Sequence, residues 1–265
     1  MAASSVARVF EHQALVYRRT LRGSLFSSFL NPVLYLAAMG VGLGMFVDRG
    51  TGAAGNPALG GVTYLQYLAP GLLAATVMQS AALESTHPIM GGIVYHRIYY
   101  AMIATPISAR DIALGTLAWI TARLTMIAVI FAVVVLAFGA APSAGLLLAA
   151  IPVAVLTGMA FAAPIVAFAA TQRNGESFPA VFRFITTPLF LLSGTFFPLD
   201  GLPAPVQAAA WLSPLWHGIA LARSIAFGAA GSNPGLALAH LAVLLLIAGA
   251  GTWLAVRNLQ LRLVK

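Results

Sequence analysis

Two charges stand where charge is expensive. Glu84 closes one long apolar run and Arg123 lies well inside the next, residues 112–138. An ionised side chain near a bilayer centre costs at least about 2.5–3.5 kcal/mol on insertion scales, so such groups face a bundle interior or a wet cavity. Glu84 and Arg123 could pair with each other or face a polar group of a passing molecule. Snorkelling to the headgroups is easy for Glu84, at the end of its run, and harder for Arg123. Both are assigned to a substrate path or the bundle interior.

A second cluster lies in residues 87–111. The segment is neither very polar nor Gly/Ser-rich in the manner of a linker, and Tyr95, Ile98, Tyr99 and Met102 recur at helical spacing. Thr105-Pro106 ends that helix, and Ser108 or Asp111 caps the next. A short surface helix carrying aromatic groups and Arg97 is either a handle for another protein or a helix resting on lipid. A third stretch, 191–228, is almost wholly apolar yet holds Pro198, Pro203, Pro205 and Pro214, with only Asp200 and Arg223 charged. Proline breaks helices by removing a backbone donor. Irregular backbone at membrane depth survives only where protein covers it or it lines a cavity.

Several chemistries find no support. Lys265 is the sole lysine, so no GxxxxGK[ST] phosphate loop exists, and HExxH and GxSxG are absent. The five histidines show no ligand spacing, the six acidic residues are dispersed, and there is no cysteine. The sequence displays no energy source of its own.

The elements that hold these residues follow from composition. Of 265 residues, 60% are hydrophobic and 8% charged, with a mean hydropathy of +0.93; soluble domains carry about a quarter charged residues. Lipid is therefore the expected solvent. Continuous apolar runs, rather than short alternating ones, favour helices over a barrel. The expected fold is an all-α integral membrane protein with six spans, near 25–47, 64–86, 112–138, 146–170, 181–198 and 235–256. Each is close to the ~20 residues needed to cross about 30 Å of hydrocarbon. Residues 1–24 are expected to form an amphipathic interface helix, or equally an ordinary basic flank, ahead of a single transmembrane domain, 25–265. Val6, Val9, Phe10, Gln13, Val16 and Tyr17 lie on one face and Arg18 and Arg19 largely elsewhere. No secretory signal peptide is expected, because a polar, basic stretch precedes the first apolar run.

Basic residues orient the chain. With the N-terminus in the cytoplasm, eleven of the fourteen Lys and Arg residues fall at the inner side, Arg49 and Arg223 fall outside, and Arg123 is intramembrane. Both termini are then cytoplasmic. The net charge of +8 is that of inner flanks and does not call for nucleic acid. Residues 199–225 are expected to re-enter the outer leaflet as a helical hairpin between the fifth and sixth spans, with Pro198, Asp200, Pro203, Pro214 and Trp216 as an outer gate. The competing layout is a seventh span broken by Pro214.

The ordered stretches NPVLYLAAMGVGLG (31–44), YLQYLAPGLLAATVMQSAALEST (64–86), ATPISARDIALG (104–115), LLSGTFFPLDGLP (191–203) and LSPLWHGIALARSIAFG (212–228) resemble the permease subunit of ABC-2 type exporters. Within that family they look closest to the nodulation-type lipo-oligosaccharide and daunorubicin-type permeases. The resemblance implies a homo- or heterodimer of permeases in the bacterial inner membrane, each cradling one ATP-hydrolysing subunit. Spans one, two and five would line the path. It implies coupling to that ATPase through Arg97, Tyr99, Tyr100, Met102, Thr105 and Pro106 and through the interface-helix residues Phe10, Tyr17, Arg18 and Arg19. Family members often carry an acid near the position of Tyr100, which leaves a packing contact rather than an ion pair there.

The expected function is export of an amphipathic or lipid-linked substrate, such as a drug, glycolipid or lipo-oligosaccharide. The chain has no ATPase site of its own and binds no cofactor or metal; ATP and Mg belong to the partner. A self-sufficient carrier or channel is the alternative, and a membrane-embedded transferase a third reading.

Overall fold

The computed structural model describes residues 2–19, 21–49, 56–141, 143–201 and 203–264, with the side chains of 2–4, 22, 24–28, 31, 58 and 200 outside that description. Among the described residues all extended regular structure is helical. The elements run α1 (Ala2–Arg18), α2 (Leu21–Tyr35), a π-helical stretch (Leu36–Leu43), α3 (Gly44–Val47), α4 (Tyr64–Glu84), α5 (His87–Met90), a π turn (Gly91–Tyr95), α6 (Ile98–Ile103), α7 (Ala109–Ala137) and α8 (Ala144–Ala169). They continue with α9 (Phe178–Val181), a π turn (Phe182–Thr186), α10 (Thr187–Leu192), α11 (Ala204–Trp211), α12 (Pro214–Ala226) and α13 (Pro234–Leu263).

Helix starts are written in local sequence. Thr63 and Gln66 form a reciprocal capping box at α4, with Gln66 N donating to Thr63 Oγ1 at 3.3 Å and Thr63 N to Gln66 Oε1 at 3.2 Å. Ser108 and Asp111 do the same at α7. The two candidates for that cap are thus halves of one device. The prolines of the broken stretch also act as starts. Pro203 is the N-cap residue of α11, Pro205 lies in its first turn, and Pro214 opens α12 behind the Ser213 cap. At these positions the missing N–H costs no helical hydrogen bond.

Among the described residues three helices, α7, α8 and α13, are long and apolar enough to cross a membrane, and two shorter apolar rods cover Pro32–Val47 and Phe178–Leu192. The six expected apolar runs are therefore not equivalent. The 21-residue α4 is buried along most of its length. It tolerates Gln66, Pro70, Gln79 and Glu84 because its neighbours, not lipid, surround most of it. α13 is the reverse: Leu238, Leu245, Leu246 and Trp253 are exposed along it.

α8 is the hub, packed on α4, α7, α12 and α13. Small residues let it approach closely. A Cβ at Gly218 of α12 would collide with Thr157, and one at Gly251 of α13 would lie 2.7 Å from the Pro164 nitrogen. Such seats are how helices pack where lipid supplies no hydrophobic drive. α1 packs on α7, with Val9 fully buried over Gly115, where a Cβ would meet Val9 Cβ at 2.6 Å. Gly40 and Gly44 face α4 within the same chain, against Leu65 and Tyr64.

Candidate functional site

Three places gather the residues singled out in the sequence. The first is the Glu84–Arg123 pair. Arg123 Nη2 donates to Glu84 Oε1 at 2.5 Å, with side chains 9% and 23% exposed. The guanidinium lies 3.9 Å from the centroid of the Tyr17 ring. Tyr17 and Phe10 both pack on Trp119 of α7, at 5.5 and 5.6 Å between ring centroids. One junction thereby joins α1, α4 and α7. A charge this enclosed requires a partner, and Glu84 supplies it. Of the two alternatives the sequence left open, pairing is the one realised. Phe10 and Tyr17 point into this junction, whereas Arg18 and Arg19 are exposed.

The second place is the corner formed by α5, α6 and the end of α13. Arg97 adopts a left-handed conformation, φ 51°, which turns the chain sharply into α6. The predicted coupling set divides there. Arg97, Tyr100, Thr105 and Pro106 are exposed and Met102 is half-buried. Tyr99 is buried, its ring lying over Gly92 and its hydroxyl 3.5 Å from Thr116 Oγ1. Burial pushes the Tyr99 phenol up from its ordinary pKa, against hydrogen bonds from the Thr116 and Gln13 side chains. Tyr99 is therefore an anchor holding α6 onto α7 and α1. Helical spacing identified its stripe but not which edge of the stripe faces inward. Tyr100 donates its hydroxyl to the Arg262 carbonyl at 3.3 Å, and Arg262 and Arg97 line one cavity of about 560 Å³ with Ile93, Val94 and Tyr100. Arg262 was missed in the sequence because it lies 162 residues from Tyr100.

The third place is at the far end of α4, around Tyr67. Pro198 and Trp216 line a cavity there with Arg223. Pro203 and Pro214 sit at helix starts beside it, and the Asp200 side chain lies outside the described residues. Trp216 packs on Trp211 at 5.8 Å and on His217 and His240 at 4.9 and 5.1 Å. The two histidines meet Nδ1 to Nδ1 at 2.8 Å, and His217 Nε2 is 3.0 Å from the Trp211 carbonyl. A carbonyl only accepts, so His217 carries its proton on Nε2, and His240 Nδ1–H donates to His217 Nδ1. This histidine bridge from α12 to α13 gave no sequence signal, because its members are 23 residues apart on different helices.

Long apolar helices arranged around an enclosed one, with an interior ion pair, are the build of an integral membrane protein. The sequence matches the family model described as "ABC-2 type transporter" over residues 6–227, and the chain belongs to that family. It is thus a membrane permease of an ATP-binding-cassette exporter. Among its relatives is "Nodulation protein J" of Rhizobium leguminosarum bv. trifolii, 33% identical over 220 residues, which cover 83% of this chain and 80% of that protein. "Nodulation protein J" of Sinorhizobium fredii (strain NBRC 101917 / NGR234) is 30% identical over 258 residues, 97% of this chain and 93% of that protein.

Proposed function

We propose that this chain is the passive conduit of an exporter in the bacterial inner membrane. It moves an amphipathic or lipid-linked molecule outward, powered by a separate ATPase subunit and paired with a second permease. The six-span layout with cytoplasmic termini follows from the basic flanks. α12, with 13 residues, reaches only about 20 Å at 1.5 Å per residue. That is too short to cross about 30 Å of hydrocarbon, which supports a re-entrant α11–α12 hairpin rather than a seventh span.

The observation that carries the coupling reading is the corner at α6. Arg97 and Tyr100 are presented outward, while Tyr99 and the Tyr100–Arg262 bond fix that corner to α7 and α13. A push from an ATPase on α6 and α1 reaches the spans through packed side chains. α1 passes it to α7 at Val9–Gly115 and Trp119, and to α4 through Tyr17, Arg123 and Glu84. The ATPase must bind the two permease states differently for this to do work. The substrate class is the one implied by the resemblance to nodulation-type permeases, and membership of the ABC-2 type transporter family supports it.

Arg97→Ala combined with Tyr100→Ala is expected to abolish recovery of the ATPase with the permease from native membranes, and export with it. Tyr99→Ala should lower the stability of the isolated chain instead. Intact binding and export in the double variant would remove the coupling site. Sustained uphill transport by the purified chain alone would remove the whole reading.

A further inference from the structure

Arg223 holds a full positive charge at the wall of a cavity of about 410 Å³, bordered by Tyr67, Gly194, Leu199, Trp211 and Trp216. Its guanidinium lies 3.8 Å from the Tyr67 ring centroid. Nη1 donates to the Tyr67 hydroxyl, and Nη2 to the carbonyls of Tyr67 and Gly194, each at 3.2 Å. All three acceptors are neutral. Nε is enclosed and has no hydrogen-bond partner among the described residues. The ion pair among the described residues is Arg123–Glu84, so no described carboxylate balances Arg223. Among the described residues the arrangement fixes the guanidinium's position without neutralising it. A Cβ on Gly71 would lie 2.9 Å from Nη2, so a glycine of α4 leaves the room in which the group sits.

A charge held by neutral oxygens in apolar surroundings is energetically incomplete. A guanidinium is the side chain best shaped to take a phosphate or carboxylate. The cavity falls in the ordinary size range of ligand sites, about 300–1,000 Å³. Trp211 and Trp216 give it two indole faces of the kind found where one end of a ligand is apolar and the other wet.

We infer that the Arg223 cavity binds the oxyanion of an amphipathic molecule, a phosphate or carboxylate headgroup held against Arg223 beside the two tryptophans. It rests on the proposed function only for its placement toward the outer face. The binding itself needs neither ATPase nor transport, so the two readings fail separately.

The test uses the full chain in a non-ionic maltoside detergent, which carries no oxyanion, with tryptophan emission as the signal; two of the four tryptophans line the cavity. Short-chain phosphatidylglycerol, short-chain diacylglycerol, which has the same acyl chains and no oxyanion, and inorganic phosphate are titrated separately. A saturable response to phosphatidylglycerol and not to diacylglycerol is expected. A matching response to inorganic phosphate would mean that the oxyanion suffices, and its absence that a lipid-borne anion is required. Arg223→Gln should weaken binding roughly ten- to a hundredfold, the value of a hydrogen bond to a charged group. Arg223→Lys should retain part of it. Should Arg223→Gln fail to fold, Ala220→Phe fills the cavity and leaves Arg223 in place; it should abolish the response. The inference is overturned by a silent wild type, by Ala220→Phe binding normally, or by Arg223→Gln binding normally. It is also overturned if only Asp200→Asn responds, since the charge would then be neutralised from within.

Discussion

Arg123 and Arg223 are both laid on tyrosine rings of neighbouring helices, at 3.9 Å on Tyr17 and 3.8 Å on Tyr67. They part company in what balances them. Arg123 meets the Glu84 carboxylate; Arg223 meets a hydroxyl and two carbonyls. Glu84 and Tyr67 lie near opposite ends of α4, about 25 Å apart at 1.5 Å per residue. Among the described residues, one helix thus carries a closed electrostatic junction at one end and an open one at the other. A closed pair behaves as a structural rivet, costly to break and indifferent to ligands. An open guanidinium contributes less to stability and is available to something arriving from outside the chain.

The largest effect should come from breaking the rivet. Glu84→Gln strands Arg123 without its carboxylate and is expected to cost about 3–5 kcal/mol, the usual penalty for removing one partner of a buried pair. Thermal unfolding in detergent measures it. The double variant Glu84→Leu/Arg123→Met should recover most of that loss, because both charges leave together. If the double variant is as unstable as the single one, the pair is doing more than neutralising itself. Arg223→Met should cost less, about 1–3 kcal/mol for hydrogen bonds lost at partly buried acceptors. A larger loss than that of Glu84→Gln would invert the comparison. Smallest are the ring substitutions. Tyr17→Leu and Tyr67→Leu each remove a cation–π contact worth about 0.5–2 kcal/mol. The Tyr17 change should also loosen α1, read as faster proteolysis within residues 2–18.

Much of this architecture was legible in advance. Helix type followed from continuous apolar runs, the start of α7 from Ser108 or Asp111, and the breaks before α11 and α12 from Pro203 and Pro214, whereas the Thr63 cap of α4 came from the structure. What was not legible was mutual orientation. Glu84 and Arg123 are 39 residues apart, and hydropathy registers two unusual charges but not that they touch. Tyr99 and Tyr100 are adjacent letters, yet one is interior and the other exposed, because a helical stripe has two edges and only packing chooses between them. Arg223 looked like an ordinary outer-loop charge. Its acceptors lie 156 and 29 residues away, and the short, proline-started α12 that carries it reads as a broken loop until Gly218 is seen seated on Thr157.

The spacing of these partners also sets a timetable. A chain is made and inserted from its N-terminus, so Glu84 and Arg123 can meet once the first half of the polypeptide has left the ribosome. Tyr67 must wait for residue 223. A nascent protein arrested after α8 would already hold its Glu84–Arg123 rivet while the Tyr67 end of α4 stood vacant. The late arrival of α12 then completes that end, so assembly errors should concentrate there.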